Sequence, residues 1–293
     1  MPSPAPCSVA WLALGSIIAF GSGGSGFWAV SKKMFLDGVT VDSLPGTLHE
    51  VLIFTFPNGL RHYHPCPQRR NLRLTHELRP HLFHSILLFG CCCAAPVVKW
   101  IWCGGILSDG GRFGETGACD FVGGIVVHKT AGLVALVIAV FLGARRNQTT
   151  PPHNPGFVMI GAAMLWVGWF GFNGGSQLVA DGGAVMVLTV THISAAMASL
   201  FWALWERIKY GKSTLVELIT STIEGLVSIT AASCFVDAAE ALIIEAIAGI
   251  LCQEAVKVIC NMHTIDDTLD VFAVHDVGGI FGTIVIAVLS FGT

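Results

Sequence analysis

Charge is scarce in this sequence. Of its 293 residues only 12% are Asp, Glu, Lys or Arg, while 53% are hydrophobic. A soluble globular domain carries roughly 25% charged residues, so a water-solvated surface cannot be assembled here and an ordinary soluble domain is excluded. The net charge is −3, without the basic excess that a phosphate backbone attracts, which excludes nucleic acid as a partner. CxxC spacing is also lacking: Cys91, Cys92 and Cys93 are contiguous and the other cysteines are scattered. They read as small apolar packing residues rather than a zinc or disulfide framework. The 34 glycines follow no period and sit inside apolar runs, which fits close helix packing in lipid. No basic residue precedes the apolar run at residues 9–20, so it reads as part of a membrane helix rather than a cleaved leader.

What is present is a series of apolar runs of spanning length. Six follow one another at residues 121–142, 157–175, 183–205, 215–236, 238–259 and 271–291, each close to the ~20 residues that cross a bilayer. A seventh, at residues 82–102, is interrupted by Lys99, and residues 9–20 supply half a span. Arg145 and Arg146 share one loop, Arg207, Lys209 and Lys212 another, and Lys257 ends a later helix. The intervening loops carry Asp181, then Asp237 and Glu240, with no Lys or Arg. The positive-inside rule places the basic set in the cytoplasm, and Asp120 and Trp102 at the outer face. The expected fold is all-α: a polytopic membrane protein with about seven complete spanning helices plus a partial one, as a single domain over residues 1–293.

Residues 57–81 differ in kind, being basic, proline-rich and without helical periodicity. His62, His64, His76, His81 and His84 invite a metal reading, since two histidines flanking one residue can chelate. The region has a better explanation, given below, and no metal or cofactor is expected.

Imidazole in a bilayer core is costly unless it faces a pore or a partner, so His128 and His275, each inside a spanning run, are the functional candidates. His192 reads as a packing residue. His128 falls eight residues after Asp120, hence ~12 Å along an inward-running helix at ~1.5 Å per residue. His275 sits near the cytoplasmic start of a helix running outward. The two therefore approach the middle of a ~30 Å core from opposite sides. Asp120-Phe-Val-Gly-Gly ahead of His128 and the segment from Asp270 to Gly279 around His275 look like the halves of an inverted repeat.

Three segments carry a resemblance. Asp120-Phe-Val-Gly-Gly-Ile-Val-Val-His128, Gly168-Trp-Phe-Gly-Phe-Asn-Gly-Gly-Ser176 and Asp270-Val-Phe-Ala-Val-His275 resemble, in order, the signature segments of the ammonium transporter family. The similarity runs over residues 95–292 and again over 11–56. It implies an inverted-repeat helical bundle in the plasma membrane, a homotrimer with one pore per subunit, and no enzymatic activity. By motif, Trp102 and Ser176 resemble an outer ammonium site, Phe172 a gate and His128 with His275 the pore pair. Asp120 and Asp270 resemble structural carboxylates near the pore. The implied function is transport of ammonium or ammonia, with methylammonium as analogue. The alternative is a non-conducting ammonium sensor or an inactive partial member. A membrane enzyme with metal-bound histidines lacks a clear third ligand.

The resemblance breaks at named places. After Phe56 the family has a helix opening with Gln-Met-x-Phe. Residues 57–66, back-translated and read one nucleotide later, permit Gln-Met-Ala-Phe-Ala-Ile-Ile-Thr-Pro-Ala. Residues 57–80 are thus expected to be a frameshift scar, which accounts for the histidines without metal. Lys129 and Asp276 replace uncharged residues beside the two histidines, and Glu217, Glu224 and Glu245 fall inside spanning runs, each costing ~2.5–3.5 kcal/mol at a helix centre. The chain is expected to start within the family's second helix and to stop short of its last one.

Overall fold

A computed structural model describes residues 11–21, 23–29, 34–44, 95–108, 117–144, 154–262, 265–267 and 269–290. The expected scar at 57–80, the histidines within it, His81, His84 and most of the run at 82–102 lie outside the described residues. Two compact units divide the chain, residues 1–119 and residues 120–293.

In the first unit, α1 (Trp11–Phe20) begins as a π-helical turn and packs against α2 (Ala95–Trp102). The indole N–H of Trp100 donates to the Phe27 carbonyl at 2.9 Å, and the two rings meet edge to face. Lys99, the charge that interrupts the apolar run, donates to the Cys103 carbonyl at 2.7 Å. Its ammonium thus complements the negative end of the helix dipole.

Among the described residues, six helical segments build the second unit. A π-helical turn, Gly124–Lys129, continues into Thr130–Leu142 as α3; then come α4 (Pro155–Gly175), α5 (Gly182–Tyr210), α6 (Leu215–Thr230) and α7 (Ala238–Asn261). The last, α8, opens with a π-helical turn, Phe272–Asp276, and continues as Val277–Ser290. Local sequence fixes their starts. The side chains of Asn154, Asp181 and Thr214 accept N–H bonds from the first turns of α4, α5 and α6, and Asp237 with Glu240 forms a capping box on α7.

Polarity is distributed inside out. Phe157, Met164, Ile243 and Val288 are 64–72% exposed, whereas Asn173, Thr191, Ser194, Ser228, Thr230, Glu224, Glu245 and Gln253 are completely buried. Lipid solvates the apolar faces, and polar groups turn inward to find partners. Among the described residues, four helices are long and apolar enough to cross a membrane: Gly124–Phe141, Pro155–Gly175, Gly182–Tyr210 and Phe272–Leu289. Of the other two expected spans, α6 is only 16 residues because residues 231–235 form a turn, and α7 is 24 residues long but carries Glu240, Glu245, Glu254 and Lys257. The fold is an all-α, polytopic membrane helical bundle.

Charges gather at one end of this unit. Lys209 pairs with Glu254, which also accepts the Trp205 indole N–H, and Lys257 pairs with Glu217 at 3.3 Å. Glu217 additionally accepts from the Trp202 indole, which compensates a carboxylate that would be costly alone. These contacts bring together the C-termini of α5 and α7 and the start of α6. At the other end of α6, the Phe121 N–H donates to the Ala231 carbonyl and Phe121 meets Phe235 edge to face. The segment leading into α3 therefore lies at the opposite end from Lys209 and Lys257.

Candidate functional site

The site grows from two capped π-helical turns. Asp120 is buried, and its carboxylate accepts four backbone N–H groups, from Gly123 and Gly124 on one oxygen and from Ile125 and Val126 on the other, at 2.6–2.9 Å. Burial pushes this carboxyl up, and the four N–H bonds oppose that push. The turn requires glycine at 123, whose φ of +126° no side chain adopts readily. The N–H groups of Val127 and His128 both donate to the Gly123 carbonyl. This wider winding sets the direction in which His128 leaves the helix.

The second turn repeats the first with a different carboxylate. Asp267 accepts the Phe272 N–H at 2.7 Å, and the N–H groups of Val271 and Ala273 also face it. Asp267 precedes His275 by eight residues, as Asp120 precedes His128. The two histidines are 147 positions apart, and the same offset relates Asp120 to Asp267 and Gly132 to Gly279. The sequence rhyme that set Asp270 opposite Asp120 is thus shifted by three residues. Asp270 has a different place, with a left-handed φ of 53° and a carbonyl that accepts the Val274 N–H. Its carboxyl is pushed up to about 7, first by burial and then by Asp267 and Glu217.

The two helices cross through glycine. A methyl group at Gly132 would meet the Asp276 backbone nitrogen at 2.6 Å, and one at Gly279 would meet the Gly124 carbonyl at 2.5 Å and the His128 Cβ at 3.1 Å. This reciprocal approach brings the histidines together: Nδ1 of His128 lies 3.2 Å from Nδ1 of His275. One of these nitrogens carries the proton and the other accepts it, because two N–H groups cannot point at each other across that distance.

Aromatic rings wall the pair. Trp169 stacks on His128 with centroids 5.5 Å apart and planes 10° apart, and Phe172 meets the same imidazole edge-on at 6.2 Å. Trp169 is held in turn by its indole N–H, which donates to Thr230 at 3.0 Å, and Thr230 donates to the Leu226 carbonyl. Asn173, on the next turn of α4, donates to Thr191 on α5.

Of the expected site residues, His128, His275 and Phe172 come together, with Asp120 holding the turn that presents His128. Ser176 lies one helical turn beyond Phe172 and donates to the Phe172 carbonyl at 2.9 Å. Trp102 ends α2 in the first unit and is half-buried there. His192 stays apart, beside Trp166 and Phe170 on an open surface groove. Sequence reasoning missed Trp169, although it stands inside the quoted motif three residues before Phe172. It also missed Asp267, which the common spacing of eight residues to a histidine would have found.

Comparison with known proteins gives this geometry a family. The model of the Ammonium Transporter Family matches residues 71–293. Ammonium transporter Amt1 of Archaeoglobus fulgidus is 40% identical over 199 residues, covering 67% of this chain and 49% of that protein. The ammonium transporter of Bacillus subtilis is 34% identical over 287 residues, covering 94% of this chain and 67% of that protein. Among solved structures, a sensor Amt protein superposes with a TM-score of 0.84 at 28% identity, over 97% of this chain and 71% of that one. Mep2 of Saccharomyces cerevisiae superposes with a TM-score of 0.81 at 30% identity, over 96% of this chain and 64% of that one. The chain spans about half the length of the archaeal relatives it matches. The curated relatives are named as transporters, which is not an enzymatic function. Matched by the family model over residues 71–293, the chain belongs to the ammonium transporter family.

Proposed function

We propose that the chain moves ammonium or ammonia across the plasma membrane as one subunit of a homotrimer, through its own path past His128 and His275. The observation that carries this reading is the 3.2 Å approach of two Nδ1 atoms inside a buried aromatic wall. A bare ammonium ion pays a large Born penalty in hydrocarbon. Separating proton from ammonia and passing both along paired imidazoles is less costly than moving the dry ion, since imidazole takes up and releases protons near neutrality. Potassium has no proton to give up, so the same arrangement selects against it.

In this reading Trp102 and Ser176 recruit the cation outside the narrow path. An indole face attracts a desolvating cation by ~1–2 kcal/mol, and a hydroxyl replaces one lost water contact. Phe172 gates entry, and Asp120 holds the His128 turn in shape. The names of the archaeal and bacterial relatives support ammonium as the substrate.

Uptake of labelled methylammonium by cells expressing the chain tests the proposal against His128→Ala. Uptake well above background that falls to background in the variant is expected. No uptake from the unmutated chain, present in the membrane in equal amount, overturns conduction and leaves a non-conducting ammonium sensor.

A further inference from the structure

Away from the histidines, the core of the second unit holds two carboxylates that the transport reading does not use. Glu224 on α6 and Glu245 on α7 are both completely buried. They lie close enough to interact, and Oε2 of Glu224 sits over Gly249, one turn along α7 from Glu245. The helices are drawn together here by small residues: a methyl group at Gly225 would meet the Ser194 carbonyl at 2.5 Å, and Gly249 lies against Ala198.

The neighbouring groups do not balance two negative charges. The titratable group facing the pair from α7 is the Cys252 thiol. From α5 it meets Ser194, and α8 presents Gly278 to Ser228 and Cys252. Among the described residues the nearby lysines are committed elsewhere, Lys209 to Glu254 and Lys257 to Glu217. Glu224 faces the Cys252 thiol and the Ser228 hydroxyl, and Glu245 faces the hydroxyls of Ser228 and Ser194, neutral groups that bring no positive charge. Two adjacent carboxylates cannot both remain ionised in such a place.

Ser228 places a hydroxyl where it can share a proton with Glu245. Its Oγ lies 2.8 Å from each carboxyl oxygen of Glu245 and 3.0 Å from the Glu224 backbone carbonyl. A hydroxyl has one hydrogen to give and two lone pairs. If Glu245 is the neutral acid, it donates to Ser228 Oγ, and Ser228 donates onward to the carbonyl. If Glu245 is ionised, one hydrogen is left to serve both its carboxylate oxygens and the backbone carbonyls of Glu224 and Gly225.

We propose that Glu224 and Glu245, bridged by Ser228, form an intramembrane proton-binding site, separate from the histidine pair, that holds at least one proton in common at neutral pH. The site lies one helical turn from His275 along α8, where Gly278 packs on Ser228 and Cys252. Loss of the proton is therefore felt by the helix that carries His275.

Infrared spectroscopy of the full chain in lipid vesicles at neutral pH tests this. The spectrum is expected to contain the C=O stretch of a protonated carboxylic acid, sensitive to deuterium exchange. The band should be reduced in the double variant Glu224→Gln, Glu245→Gln, in which amides imitate the neutral acids, and displaced in Ser228→Ala. The double variant should also lose less Tm than the unmutated chain as pH is raised. The same carboxylic absorption in chain and double variant overturns the site. A band that vanishes on adding potassium, sodium or ammonium at fixed pH overturns it in favour of a bound cation. Should the double variant not fold, Glu245→Gln alone reads the same band, and an unchanged band there overturns the proposal equally.

Discussion

Asp120, Asp267 and Asp270 are one residue type in two electrostatic settings. The first two face rows of backbone N–H groups, which stabilise a carboxylate as they stabilise any anion at a helix start. Asp270 is buried beside Asp267 and Glu217 instead, with Lys257 opposing, and burial first and those two acids next push its carboxyl up to about 7. An unfolded Asp titrates near ~3.9, so between these values the folded chain holds the proton more tightly. Stability is then full below the unfolded value and is lost as pH rises towards the folded one. Asp270→Asn should flatten this decline, since Asn tolerates the left-handed φ of 53° and carries no charge. Melting the chain and the variant in lipid from about pH 5 to about pH 8 checks it, and parallel curves would remove Asp270 as the cause. From sequence the three acids near His275 were indistinguishable: Asp266, Asp267 and Asp270 crowd into five positions. Only the backbone turn decides which one meets the N–H row. The histidines were legible because an imidazole inside an apolar run has few bland explanations, whereas the role of Trp169 depends on a stacking angle that no spacing encodes.

At the scale of helices, α3 and α8 cross where side chains are absent. Gly132 and Gly279 each lie against the other helix too closely for a methyl group. Overpacking of this kind costs ~1–3 kcal/mol, and it also separates the two Nδ1 atoms. Gly132→Ala and Gly279→Ala should each lower Tm and reduce methylammonium uptake. Gly161→Ala, in α4 with nothing within 4 Å of the added methyl, should leave both unchanged or raise Tm slightly, because Ala favours a helix over Gly by ~1 kcal/mol. Equal losses at all three positions would show that glycine matters for something other than this crossing. The helices themselves were legible from apolar runs, and the structure adds their caps, Asn154, Asp181, Thr214 and Asp237 just ahead of them. The end of α6 was not. Residues 231–235 are as apolar as the helix before them, and the break there is sustained by a long-range bond from the Phe121 N–H to the Ala231 carbonyl. Hydropathy carries no trace of that bond.

At the scale of the molecule, alternating basic loops give the second unit a sidedness that its contacts make testable. Lys209 and Lys257 cluster at one end through Glu254 and Glu217, and Phe121 and Phe235 meet at the other. Two exposed native thiols mark these ends: Cys234 in the turn after α6, and Cys260 near the end of α7, three residues past Lys257. If lysine retention in the cytoplasm sets the orientation, a membrane-impermeant maleimide added to intact cells should label Cys234 and spare Cys260. Permeabilised cells should show both labelled. Peptide mass spectrometry reads each site separately, so the native thiols need no replacement. Labelling of Cys260 from outside with Cys234 protected would invert the molecule. It would then place Ser176, proposed to help recruit the cation, on the cytoplasmic face, and uptake would have to begin at the end where Asp267 and Asp270 stand.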